Sequence, residues 1–193
     1  QRNVFQYAQD MFAKYGVEEY TDETKDTAYL YCVEVKCPEC GMIVPLIPSL
    51  VIGKGTRTIV KLVPNADHYD FEIKMGVSAK EIEKAETDGT VNAKGLICPH
   101  CGKSTPISSL RRDRTEKSGN SVYGLRLWEQ NEFETRPDDV YHERLYAIKY
   151  ENKEILPNGK IKTTRYYRAP SQQDMENEKK IHDIVVEHFD QWQ

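Results

Sequence analysis

Residues 28–46 read Ala-Tyr-Leu-Tyr-Cys-Val-Glu-Val-Lys-Cys-Pro-Glu-Cys-Gly-Met-Ile-Val-Pro-Leu, and the core of that stretch, Cys37-Pro-Glu-Cys40-Gly41, returns as Cys98-Pro-His-Cys101-Gly102 with 56 residues between the copies. A Cys-x-x-Cys turn brings two thiolates to one side of a metal, and two such turns complete a tetrahedron of soft ligands about 2.3 Å from a Zn²⁺ ion. The other residues of each turn have physical reasons too. Proline presets φ, and the glycine after the second cysteine relieves crowding where backbone N–H groups point at the sulfurs. With Cys37, Cys40, Cys98 and Cys101 filling all four positions, no place is left for water or substrate, so the expected zinc is structural.

Other readings of the cysteines fit less well. A redox Cys-x-x-Cys occurs once, beside a βαβ pattern, and a disulfide framework belongs to secreted chains. The fifth cysteine, Cys32, lies in an apolar strand five residues before the first knuckle and reads as a plain buried thiol. His100 sits inside its knuckle, where ligation would strain the turn, so it is expected at the surface or beside the ligands.

Outward from the knuckles, the aromatic and β-branched run Ala28–Val35 predicts a strand leading into Cys37. The apolar runs 43–52 and 58–63 flank Gly53-Lys54-Gly55 and predict a hairpin interrupted by Pro45 and Pro48, with the glycines supplying positive φ. Without the upstream glycine of a P-loop, that tripeptide is a turn and not a phosphate cradle. Further strands are expected at 69–75, 122–128 and 140–150, with a hairpin over 155–167 whose Asn158-Gly159 suits a type I′ turn. Helices are predicted at 4–15, ended by Gly16, at 78–85 with Ser78 as N-cap, and from Ser171 to the end. There Ser171 and Asp174 resemble a capping box, and Met175, Ile181, Ile184, Val185, Phe189 and Trp192 form an apolar stripe. The fold class is therefore α+β: a mainly antiparallel zinc-ribbon β module over 28–170, an N-terminal helix and acidic connector over 1–27, and a C-terminal helix over 171–193.

The 193 residues are 38% hydrophobic and 30% charged, polar yet sufficient for a folded core. No run of about 18 apolar residues offers a membrane span, and no signal-peptide pattern opens the chain, so a cytoplasmic protein without membrane association is expected. The chain starts at Gln1 and reads as a piece of a longer polypeptide. Its formal net charge of −4 argues against wholesale nucleic-acid coating, but residues 94–126 carry seven bases against two acids. Among them Lys103, Arg111, Arg112 and Arg114 are candidates for phosphate contact, and a solvated loop is the competing reading. His68, His142, His182 and His188 are scattered without the spacing of a catalytic constellation.

Ala28-Tyr29-Leu30, the first knuckle followed by Val44-Pro45-Leu46, Gly89-Thr90-Val91, the second knuckle, Leu145-Tyr146-Ala147-Ile148 and Tyr167-Arg168-Ala169-Pro170 occur in one order. That order resembles the zinc-ribbon region of large prokaryotic adenine-specific DNA methylases of a domain-of-unknown-function family, some found in anti-phage gene clusters. The resemblance spans residues 28–175, with a longer stretch than the family's between Arg114 and Leu145. It implies S-adenosylmethionine as methyl donor in the parent enzyme, DNA as its partner, and a catalytic Asn/Asp-Pro-Pro-Tyr/Trp loop that holds a flipped adenine. Neither that loop nor a Gly-rich donor turn occurs in these residues, so the segment is expected to be inactive alone and to pair with the remaining methylase domain. A zinc-ribbon adaptor that binds a protein partner, with no methylase, is the alternative.

Overall fold

A computed structural model describes residues 6, 10, 13–16, 24–130 and 132–192, with backbone alone at 24–27 and 188–192. The long strand β1 (Thr24–Lys36) organises the molecule. It pairs antiparallel with β2 (Ile43–Leu46) on one side and with β11 (Tyr141–Ile155) on the other. Strand β12 (Ile161–Arg168) extends the sheet beyond β11, giving the order β12-β11-β1-β2. The class is the expected α+β, with every pairing antiparallel.

A second sheet joins β3 (Val51–Gly53), β4 (Thr58–Asn65) and β5 (His68–Lys74), and a third joins β6 (Val91–Asn92), β7 (Gly95–Ile97) and β8 (Ser104–Thr105). Helix α1 (Ala79–Thr87) connects them, and Ser78 caps it: its hydroxyl accepts from Glu81 N–H, and the Glu81 carboxylate accepts from Ser78 N–H at 2.9 Å. The short helix α2 (Ile107–Leu110) and the ribbon of β9 (Arg114–Thr115) with β10 (Ser121–Val122) follow. Helix α3 (Gln172–Trp192) ends the chain. Its start is the expected capping box, with Asp174 accepting from Ser171 N–H at 2.6 Å.

Four expectations change. The runs 43–52 and 58–63 do not form one hairpin: Pro48 separates β2, which joins β1, from β3, which joins β4. In the β3–β4 turn the positive φ belongs to Arg57, at +48°, and not to Gly53 or Gly55. The turn at 156–160 is not type I′, because Asn158 does not have positive φ. Gly159 N–H donates to Leu156 O at 2.9 Å and Gly159 has φ +75°, which makes a type I turn with Pro157 at its second position and a left-handed glycine after it. Finally, the strand expected over 122–128 stops at Val122, and residues 123–130 and 132–139 are irregular.

The first helix and the acidic connector fall largely outside the described residues. Residues 6, 10 and 13–15 are helical, and Gly16 closes that turn with φ +60°. Strand β1 already runs at Thr24, where the backbone of 24–26 pairs with 150–152.

Candidate metal centre

Each knuckle joins two antiparallel strands, the first between β1 and β2, the second between β7 and β8. The two have the same backbone wiring. Cys37 N–H donates to Met42 O at 2.8 Å and Gly41 N–H to Cys37 O at 2.9 Å; Cys98 N–H donates to Lys103 O at 2.9 Å and Gly102 N–H to Cys98 O at 2.9 Å. Gly41 and Gly102 take φ of +79° and +70°, a region that a side chain would strain. Backbone N–H groups also meet the sulfurs, Met42 on Cys40, Lys103 on Cys101, and His100 with Cys101 on Cys98. The repeated pentapeptide therefore makes one structure twice.

The four sulfurs converge. All lie within 4.8 Å of one another, with Cys37 and Cys101 at 3.9 Å and Cys40 and Cys98 at 3.7 Å. A tetrahedron with metal–sulfur bonds of about 2.3 Å has edges of about 3.8 Å, so these separations match a bound ion and exceed a disulfide bond nearly twofold. All five cysteines are free thiols. The cluster is positioned to hold a metal ion, and its donor set and dimensions fit zinc. Burial pushes the Cys98 thiol up to about 12, whereas the Lys103 N–H holds Cys101 below its usual value. Metal binding must displace protons from such a set.

The cluster is built into a core. Val35, Met42, Val44, Tyr69, Leu96 and Leu110 bury themselves against Cys37 and Cys98, drawing on β1, β2, β5, β7 and α2. Hydrogen bonds outside the thiols join the two halves: Thr90 Oγ1 accepts from Ile47 N–H at 2.9 Å and donates to Pro45 O, while Thr90 N–H reaches Ile47 O at 2.8 Å. A Cβ on Gly89 would lie 2.2 Å from Pro48 O, so only glycine admits this approach. This clamp joins the segment after the first knuckle, through Pro45 and Ile47, to Gly89 and Thr90 before the second. Arg144 braces the far side, donating to Tyr69 O at 2.8 Å and Glu34 at 3.0 Å, with its guanidinium 4.8 Å from the Phe71 ring. Neither Thr90 nor Arg144 carries a local sequence signal, since their partners lie 43 or more positions away.

The remaining candidates are placed individually. Cys32 is buried, and burial pushes its thiol up to about 12, as an inert core residue requires. His100 is exposed and outside the cluster. Lys103, Arg112 and Arg114 are exposed, but Arg111 is committed: Nε and Nη2 meet Asp113 at 3.0 and 2.5 Å, and the guanidinium lies 5.1 Å from the Tyr123 ring. His68 sits between Asp67 and Asp70, His142 bonds to Thr135 and Asp139 O, and His182 pairs with Glu134. The side chain of His188 lies outside the described residues.

The loop after β10 includes most of the strand expected over 122–128, and its organising residue is Arg126. Its Nε and Nη2 each reach an Asp139 oxygen at 2.7 Å, and its Nη1 reaches Glu132 at 2.5 Å. Arg136 ties Glu132 at 2.6 Å and Glu129 at 2.8 Å into the same network. No described helix is long and apolar enough to cross a membrane. Compared with known proteins, the chain matches no family model, no curated protein and no solved structure.

Proposed function

We propose that this chain is a zinc-stapled accessory region of an S-adenosylmethionine-dependent, adenine-specific DNA methyltransferase, holding the enzyme's shape and presenting basic side chains to the DNA backbone. The observation that carries the zinc is the set of four converging cysteine sulfurs, spaced as tetrahedral edges and supplied by two identically wired turns. A closed four-thiolate site binds its metal for structure and not for turnover. The methylase setting rests on the ordered motifs around the knuckles, of which Val44-Pro45-Leu46 and Gly89-Thr90-Val91 meet in the clamp beside the metal site. Lys103, Arg112 and Arg114 offer phosphate contacts near the second knuckle.

Elemental analysis of folded, freshly purified protein should find one zinc per chain, and a metal-free folded sample would refute the zinc assignment. The methylase reading requires flanking coding sequence with the Asn/Asp-Pro-Pro-Tyr/Trp loop, and tritium transfer from labelled donor to adenine by the intact protein. Intact protein that shows no donor binding and no transfer defeats it.

A second reading, a protein-docking adaptor, is favoured by one feature. The Arg126 network fixes a loop that holds Leu127 92% exposed beside Trp128 at 52%. Large apolar side chains held out in water suit a protein partner.

A further inference from the structure

Among the described residues, the last pairing of β1 with β11 is Thr24 with Asn152, whereas β11 and β12 stay paired out to Ile155 and Ile161. Residues 153–163 thus extend past the described pairing of β1 as a two-stranded ribbon closed by the Pro157-Asn158-Gly159 turn. Its composition differs from the rest of the chain. Three lysines, Lys153, Lys160 and Lys162, stand against one acid, Glu154, in a protein whose formal net charge is −4. All three lysines are exposed.

The two faces divide the chemistry. Ile155 and Ile161 lie directly opposite each other, 76% and 65% exposed, on the face that also carries Lys153. The opposite face pairs Glu154 with Lys162 at 3.7 Å between groups that are each more than half exposed. An exposed pair of that kind is worth little and yields readily to another anion. Farther down, Glu151 and Arg165 pair at 2.8 Å and Tyr150 stacks on Tyr166 at 5.3 Å between centroids, which stiffens the base of the ribbon.

We infer that this ribbon tip is a DNA-contacting arm, with Lys153, Lys160 and Lys162 meeting phosphates of a duplex and the Ile155–Ile161 pair lying against the groove floor. The positive charge matches the phosphates, and an exposed apolar pair on one face of a ribbon suits contact with thymine methyl groups on the floor of the major groove. Duplex DNA is favoured over duplex RNA, because a two-stranded ribbon enters the wide groove of B-DNA, whereas the major groove of A-form RNA is deep and narrow. The inference rests on the DNA-binding reading above and names a surface for it apart from the basic cluster at the second knuckle.

The test measures anisotropy of a labelled duplex with the intact protein across a salt series. Changing Lys153, Lys160 and Lys162 together to Ala should flatten the slope of log K against log salt by up to about 2.7, at about 0.9 per phosphate contact. Changing Ile155 and Ile161 to Ala should weaken binding with the slope retained. Unchanged zinc content and melting temperature establish that both variants are folded. If the intact protein binds DNA and both variants match it, the arm is overturned while the DNA reading stands. If the intact protein binds no DNA, both fall. Loss of self-association in the isoleucine variant, with DNA binding intact, assigns the tip to contact between copies and overturns the arm.

Discussion

Two parts of this chain hold irregular backbone in place by opposite means. Around the knuckles, segments 57 residues apart are brought together by four sulfurs, a buried hydrogen-bonded threonine and a shared apolar core. Around residues 123–139 and at the start of α3, the fasteners are arginines and carboxylates in partial contact with water. A metal site concentrates its free energy in a few bonds and fails as a unit. A charge network spreads smaller contributions over many contacts and fails locally. The rigid half should therefore act as the frame, and the charge-held half should adjust to whatever it touches.

The largest effect expected from breaking this contrast is at the metal. Cys98→Ser removes one ligand from a site worth about 10 kcal/mol or more in small zinc domains, so zinc should be lost and the β1–β2 and β6–β8 regions should unfold. Metal content and dispersed amide resonances report it, and retained zinc with native resonances would contradict a metal-held frame. Cys32→Ala serves as the control, because that buried thiol lies outside the cluster and its loss should leave metal stoichiometry unchanged. The next effect is at the clamp. Thr90→Val keeps the shape but strands the Ile47 N–H, which costs about 1–3 kcal/mol when buried. A lowered urea midpoint with full zinc occupancy is the expected result.

How much of this was legible follows the same division. The four converging cysteines were readable because each knuckle is a five-residue unit with its own turn chemistry. The caps at Ser78 and Ser171 were readable for the same reason. What escaped depends on distant partners. Residues 122–128 have strand-like composition, yet Arg126 finds Asp139 and Glu132, and among the described residues no strand pairs with this segment beyond Val122. The basic count over 94–126 included Arg111 and Arg126, whose charges are already matched within the fold. At Asn158-Gly159 the preceding Pro157 decided the turn, because its fixed negative φ suits the second position of a type I turn.

A smaller effect is expected at Arg126. Its fork meets Asp139 with two nitrogens and Glu132 with a third, a geometry that lysine keeps in charge but not in shape. Arg126→Lys should leave zinc content and the β core unchanged while hydrogen exchange quickens across residues 123–139. Trp128, 5.5 Å from the guanidinium, should report the same opening by fluorescence. Protection lost throughout the molecule would show that this loop belongs to the frame and erase the contrast.

The smallest effect is at the start of α3, where pH provides the handle. Arg168 grips both oxygens of Asp174, Nη1 on Oδ2 and Nη2 on Oδ1 at 3.0 Å, and Ser171 donates to the same carboxylate. The Arg168 guanidinium is the main cause that holds the Asp174 carboxyl down at about 2, against about 3.9 for an ordinary aspartate. A depressed carboxyl contributes stability that is complete above about pH 4 and is lost as pH falls toward 2. Asp174→Asn removes that contribution at every pH. Other carboxylates, Asp113 and Asp139 among them, are also held below their usual range and weaken the fold in the same acid window. The informative quantity is therefore the difference between the two proteins, read as exchange protection in the first turn of α3. That difference should be constant from pH 7 to about 5, shrink between about 4 and 2, and vanish below. A constant difference down to pH 2 would mean that Asp174 acts through packing or its N-terminal hydrogen bonds, and that the charge-held half is less dependent on charge than its ion pairs suggest.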